Sequence, residues 1–332
     1  MLPYTGDYIE HIDDNIDDFK YYTFTPRPLM HGDMYKMDDE LSALLIESHR
    51  NIGFLEGLLK YAPNKDTFSE LMLLKECTYS LMVDYDAPSF QEVLVSRGGD
   101  KGDIARINNL ELAYKAAMDR TISAPDLSEL CGIALYGDVV SKPVDIRDKQ
   151  TFLLGVRTNL KSYNPTAPDA VLPALADISA YLYNDKDTDP LIKAALVHYQ
   201  FEMIHPFERY NGIVGRIIVQ MALRDIANEP LLLICLSEYL YHNTTSILKE
   251  YMKKGGALDD DRLKNLGGGN YFDELLARIR DIRSYEKYFG EKFWKYMQQV
   301  LIMTQKQKVQ FCFLNRYRTK CIGQLISTQR QK

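Results

Sequence analysis

Short metal-type cysteine spacing, a signal-peptide core and an unbroken apolar run of membrane length are all missing from this 332-residue chain. The five cysteines, Cys77, Cys131, Cys235, Cys312 and Cys321, are scattered, which argues against a zinc finger or a disulfide framework. They read as reduced, buried thiols of a cytoplasmic protein. The opening residues, MLPYTGDYIEHIDD, are acidic and lack an apolar core, so no secretory signal is expected. The longest apolar region, 217–236, is interrupted by Arg224, Asp225, Glu229 and Pro230, and no membrane role is expected. A net charge of −6 gives no overall electrostatic reason to expect nucleic acid as a partner. Gly267-Gly268-Gly269-Asn270 lacks a following Lys-Ser/Thr, so it reads as a linker rather than a phosphate loop. From Thr304 onward acidic residues are absent, while Lys306, Lys308, Arg316, Arg318, Lys320, Arg330 and Lys332 are present. That stretch reads as a solvated tail, with nucleic-acid contact as the other reading.

What is present is mostly helical pattern. Apolar residues at Leu41, Leu44, Leu45, Ile52, Leu55, Leu58 and Leu59 predict one or two helices over 37–60. A second helix is expected over 67–83, capped by Asp66 or Thr67, and a third over 90–97 before a glycine-rich break. Residues 1–100 thus read as a helical N-terminal domain, 101–250 as a core domain, and 251–332 as C-terminal helices, clearest at 271–285 and 288–303, with the basic tail. An amphipathic helix is expected over 171–183. The β-branched and aromatic residues of 146–154 suit a short strand or hairpin arm.

Residues 198–216, HYQFEMIHPFERYNGIVGR, concentrate the chemistry. Asp189 and Pro190 start a helix, and it should stop near His205 because a residue before proline is pushed out of the α region. Asn211-Gly212 can turn the chain into a second helix over 214–227. A helix opening there aims free N–H groups and a positive dipole end at an anion, and Arg216 adds a full charge. A histidine beside such a cradle points to phosphoryl or nucleotidyl chemistry.

This segment resembles the signature of the Fic (Fic/Doc) family, H-x-F-x-[DE]-G-N-G-R-x-x-R, with His205, Phe207, Asn211, Gly212 and Arg216 in place. Arg209 stands at the acidic position, Tyr210 at the first glycine and Ile213 at the first arginine. The likeness extends upstream through 190–207, Tyr163-Asn164-Pro165 and Gly53-Phe54-Leu55-Glu56-Gly57, and downstream through Pro230-Leu231-Leu232 and Leu236-Ser237-Glu238-Tyr239. It covers roughly residues 20–300. It implies a mainly α Fic-fold helical bundle with a small β-hairpin flap, flanked by helical N- and C-terminal regions. The flap position falls at 149–160, where an ordinary surface loop is the other reading.

The resemblance implies transfer of AMP from ATP to a protein Ser, Thr or Tyr hydroxyl, with His205 as the general base and Phe207 as the loop anchor. Asn211, Gly212, Arg216 and Arg209 would meet the nucleotide phosphates, Asn211 either directly or by orienting the loop. The acidic residue of the signature holds magnesium, and Arg209 cannot. No metal is therefore expected unless the register shifts onto Glu208; a guanidinium can instead bond phosphate directly. Relatives with this N-terminal domain carry an inhibitory [ST]-x-x-x-E-[GN] helix, matched here by Ser80 through Asp84-Tyr85. Asp84 is expected to approach Arg216; a solvated aspartate at a helix end is the alternative. With three phosphate-site positions altered, activity is expected to be weak, altered or lost. The rival function is a non-catalytic Fic-like module that binds a protein partner, and a transcriptional regulator is disfavoured by the acidic balance. The family also suggests a homodimer.

Overall fold

The computed structural model describes residues 5–13, 19–31, 34–60, 65–96, 99, 101–137, 142–152, 164–224 and 234–242. Among these the chain is mainly helical, with one two-stranded antiparallel sheet. The helices expected at 271–285 and 288–303 lie outside the described residues.

The sheet is formed by β1, Gly6–Asp13, and β2, Phe19–Pro26, with Tyr8 opposite Phe24 and Glu10 opposite Tyr22. Tyr, Phe and Thr dominate β2 and suit a pleated, half-buried surface. Across the strands Glu10 accepts from Lys20 Nζ at 2.9 Å and from the Tyr22 hydroxyl at 2.6 Å. This hairpin amends the helical reading of residues 1–100. The aromatic and β-branched content of β2 is in the sequence, but the connecting residues lack an Asn-Gly or Asp-Gly pair, the local signal for a hairpin. No strand forms over 146–152, and the remainder of the expected flap, 153–160, lies outside the described residues.

Three helices follow close to their expected positions: α1, Asp39–Lys60; α2, Lys65–Asp84; and α3, Phe90–Val95, opened by a Ser89/Glu92 capping box. Then come α4, Gly102–Ala117, and α5, Ala124–Tyr136, which Ser123 caps and Gly137 closes at φ 78°. α6, Pro168–Asn184, leads to α7, Pro190–Ile204, and α8, Asn211–Leu223. Asp189 caps α7 by accepting from Leu191 N at 2.9 Å. α7 is apolar almost all round and buried almost all round, with α6, α8 and β2 packed against it. Inside, Gln200 donates to the Arg27 carbonyl at 3.0 Å, and His198 lies 3.5 Å from Glu202.

The expected start of the second motif helix at 214 is corrected. α8 begins at Asn211, because Tyr210 takes the turn conformation and Asn211 is already helical. Among the described residues no helix is long and apolar enough to cross a membrane.

The N-terminal hairpin supports the motif from behind. Residues 164–166 run beside β2: Phe24 N donates to the Asn164 carbonyl at 2.9 Å, and Asn164 Nδ2 donates to the Tyr22 carbonyl at 2.8 Å. The Thr166 hydroxyl donates to the Phe24 carbonyl at 3.0 Å. That segment in turn touches the last turn of α7, where Thr166 N donates to the Met203 carbonyl at 3.4 Å.

Candidate active site

α7 ends because His205, held before Pro206, adopts a left-handed conformation (φ 52°, ψ 62°). Its N–H still closes the last turn, on the Phe201 carbonyl at 2.9 Å. The chain then loops back. Phe207 is fully buried and packs near Phe201, which anchors the loop in the core. Asn211 is 2 % exposed, and both ends of its amide are used: Oδ1 accepts from Phe207 N at 2.9 Å and Nδ2 donates to Phe207 O at 2.7 Å. These two bonds close the loop between Phe207 and Asn211.

At the other end of the loop Tyr210 is also left-handed, at φ 65°, and α8 starts with Val214 N donating to its carbonyl at 2.8 Å. A tyrosine in that conformation costs about 1–2 kcal/mol relative to the right-handed region. Its side chain offsets this by packing: the residue is 9 % exposed, its ring lies 5.8 Å from the Tyr85 ring, and its hydroxyl accepts from Arg106 Nε at 3.4 Å. The Arg106 guanidinium also lies 4.2 Å from the Tyr85 ring centroid. Tyr210→Gly is expected to be more stable than Tyr210→Ala by about 1 kcal/mol, since both lose the ring but only glycine accepts the left-handed backbone freely. Urea denaturation of the two variants checks this.

The decisive geometry lies over the first turn of α8. Arg216 is 3 % exposed; its Nε donates to Ser80 Oγ at 2.9 Å, and its Nη2 to the Ser80 carbonyl at 2.9 Å and to Asp84 Oδ2 at 2.7 Å. An ideal Cβ on Gly212 would stand 3.1 Å from Arg216 Nη1 and 3.2 Å from Asp84 Oδ2. The last turn of α2 therefore sets its own carboxylate against the N-terminus of α8 and its arginine. A free helix N-terminus would offer that place to an outside anion.

His205 stands beside this group. Burial lowers its pKa below the ordinary histidine value, the charge of Glu202 opposes that, and Arg147 adds to the lowering. The imidazole is accordingly neutral near pH 7, with a nitrogen lone pair free for a proton. For Glu202, burial acts to raise the carboxyl pKa, but the hydrogen bond and charge of His198, with His205 and Arg216, bring it below the usual value. Gly215 lets α8 approach here: a methyl group on it would collide with Glu202 Oε1 and stand 3.0 Å from His198 Nε2.

Arg209 and Glu208 are both exposed, and the Arg209 carbonyl faces Cys131 Sγ at 3.9 Å. Among the described residues the Arg216 guanidinium bonds Ser80 and Asp84, and neither Arg209 nor Glu208 is a partner. Among the described residues no cluster of three or more His, Cys, Asp or Glu could hold a metal ion. The sequence reading passed over Arg147, Glu202 and Arg106. All three lie outside the motif's own spacing, and only Glu202, one helical turn before His205, carried a local hint.

Residues 122–223 match the family model for the Fic/DOC family, and residues 240–312 match a second model, the Virulence protein RhuM family. Over 74 residues the chain is 35% identical to protein adenylyltransferase fic-1 of Caenorhabditis briggsae, a stretch covering 21% of this chain and 14% of that protein. Over 125 residues it is 30% identical to a probable protein adenylyltransferase of Aquifex aeolicus, covering 34% of this chain and 38% of that protein. The chain thus spans well under two thirds of these curated relatives. In structure it is similar to a Fic family protein from Desulfovibrio desulfuricans G20, with a TM-score of 0.55 at 19% identity, covering 83% of this chain and 76% of that one. At that identity the likeness is one of fold. Residues 122–223 thus match the Fic/DOC family, and they hold the motif loop between α7 and α8.

Proposed function

We propose that this chain is a protein adenylyltransferase of the Fic type whose anion site is closed by its own Asp84, so that transfer is weak until Asp84 moves. The observation that carries this reading is the Asp84–Arg216 contact of 2.7 Å over Gly212. An internal carboxylate and a nucleotide phosphate compete for the same arginine and the same helix end. With Asp84 displaced, Arg216 and the N–H groups of Gly212 and its neighbours would receive the phosphates of ATP. His205 would take the proton from the target's hydroxyl as that oxygen bonds the α-phosphorus. The bond from the α-phosphorus to the bridging oxygen breaks, pyrophosphate leaves, and AMP remains on the target.

The residues present do not fit a magnesium ion. Arg209 stands at the acidic position, Glu208 is exposed beside it, and no step here runs through a metal. The names of the relatives, both adenylyltransferases, support this reaction class. A protein hydroxyl is the acceptor on the same grounds.

The test is intact-protein mass after incubation with ATP and magnesium, comparing the wild type with Asp84→Ala and His205→Ala. An AMP-sized adduct should be small in the wild type, grow at least tenfold in Asp84→Ala, and vanish in His205→Ala. Because the His205 pKa is lowered, the acid limb of the rate profile should fall below the ordinary histidine range. A second reading, a non-catalytic module, draws on Tyr210 and Tyr85, which crowd the entrance to α8 with Arg106. Absence of an adduct in Asp84→Ala, with any protein hydroxyl donor supplied, favours that module.

A further inference from the structure

The geometry points to Arg147 as the positioning residue that fixes where His205 stands, through the backbone of the motif loop rather than through the ring. A helix end leaves its last carbonyls without partners inside the helix. Where α7 ends, three consecutive carbonyls, those of Ile204, the cap His205 and the loop residue Pro206, all accept from this single residue: from Nη2 at 3.1 Å, Nε at 2.7 Å and the backbone N–H at 2.9 Å. Pro206 has no backbone N–H to donate. The same guanidinium donates from Nη1 to the Lys149 carbonyl at 3.0 Å, and from Nη2 to the carbonyl of Thr166, which lies against β2. Arg147 is 4 % exposed. It ties the loop to the 164–166 segment beside β2 on one side and to the 142–152 segment on the other.

The planar fork matters more than the charge. Guanidinium nitrogens reach several in-plane acceptors at once, whereas an ammonium is a compact point donor. Its positive charge also suits the negative end of α7. The charged groups facing His205 are Glu202 from α7, Asp84 from α2 and Arg147, with Arg216 of α8 acting on Glu202. Glu202 and Asp84 favour the imidazolium, while Arg147 opposes it. This role rests on His205 being the working base only for its catalytic meaning; its structural content does not depend on adenylyl transfer.

The experiment uses the full chain without nucleotide. Amide exchange at His205 and Phe207, and an NMR titration of the His205 ring, are recorded for the wild type, Arg147→Lys and Arg147→Gln. Loss of the fork should speed exchange at both amides by on the order of tenfold or more in each variant. The His205 midpoint should stay near the wild-type value in Arg147→Lys and rise in Arg147→Gln. Wild-type exchange rates in either variant overturn the proposal. Should both variants fail to fold, His205→Gly decides: a loop held by its carbonyls keeps the Phe207 amide protected, and collapse of that protection assigns the hold to the ring and overturns it. Faster exchange in a variant that still transfers AMP supports the positioning role and leaves the reaction reading standing. Faster exchange with no transfer in any protein supports the positioning role and counts against the reaction alone.

Discussion

Arg216→Met is expected to lower the stability of the fold by about 3 kcal/mol and to remove any response to phosphate ligands. Methionine keeps much of the volume, so the loss reports the guanidinium. Removing one partner of a buried pair costs on the order of 3–5 kcal/mol, because the other polar groups stay behind unpaired. Here Ser80 is fully buried and loses donors at both its hydroxyl and its carbonyl. Asp84 is 31 % exposed on its side chain and can turn toward water, which places the expected loss at the low end. Urea denaturation should show a lower midpoint with an unchanged slope.

The comparison with Asp84→Ala separates structure from ligand. That variant also loses stability, since it leaves Arg216 buried against Ser80 alone. Its anion seat, however, is now open. Pyrophosphate at a hundred times its dissociation constant should stabilise Asp84→Ala by about 2.7 kcal/mol, the wild type by less, and Arg216→Met not at all. A pyrophosphate response equal in the wild type and Asp84→Ala would mean that Asp84 guards nothing.

The motif loop was legible in the sequence because its rules are local. Asp189-Pro190 marks a helix start and His205-Pro206 marks its end, and both fall where the structure has them. Phe207, given as a loop anchor by the family resemblance, is fully buried. The start of α8 was misplaced because Asn211 closes the loop through Phe207, a bond no spacing rule encodes. The hairpin of β1 and β2 escaped for want of a turn dipeptide. Arg147 was invisible for another reason. Its acceptors are carbonyls far along the chain, and backbone acceptors carry no side-chain signature.

Glu76→Ala is expected to be the most damaging change outside the motif, at about 3–5 kcal/mol. Glu76 is 1 % exposed; its Oε1 accepts from the Tyr114 hydroxyl at 3.0 Å and from Ser237 Oγ at 2.6 Å, and its Oε2 from Ser237 N at 2.9 Å. Alanine leaves three buried donors without an acceptor as well as a cavity. Glu76→Gln keeps the shape and one good acceptor, so its loss should be nearer 1 kcal/mol. Burial raises the Glu76 pKa above the usual carboxylate value, against the hydrogen bonds from Ser237 and Tyr114 and the charge of Arg216. A raised pKa stabilises the fold fully below the unfolded value of 4.5 and loses that contribution as pH rises through the folded value. The margin of the wild type over Glu76→Gln should therefore shrink from acid toward neutral pH. Taking that difference isolates Glu76 from His205 and Glu202, whose lowered values act in the opposite direction. The consequence reaches the site. Glu76, Ser80 and Asp84 follow one another at four-residue intervals on α2, so they share one face. Glu76 pins that face to α4 and to the 234–242 segment, and the pinning sets the height at which Asp84 meets Arg216. Glu76→Gln should accordingly leave Asp84 in place, while Glu76→Ala, in whatever fraction remains folded, should gain the pyrophosphate response of Asp84→Ala.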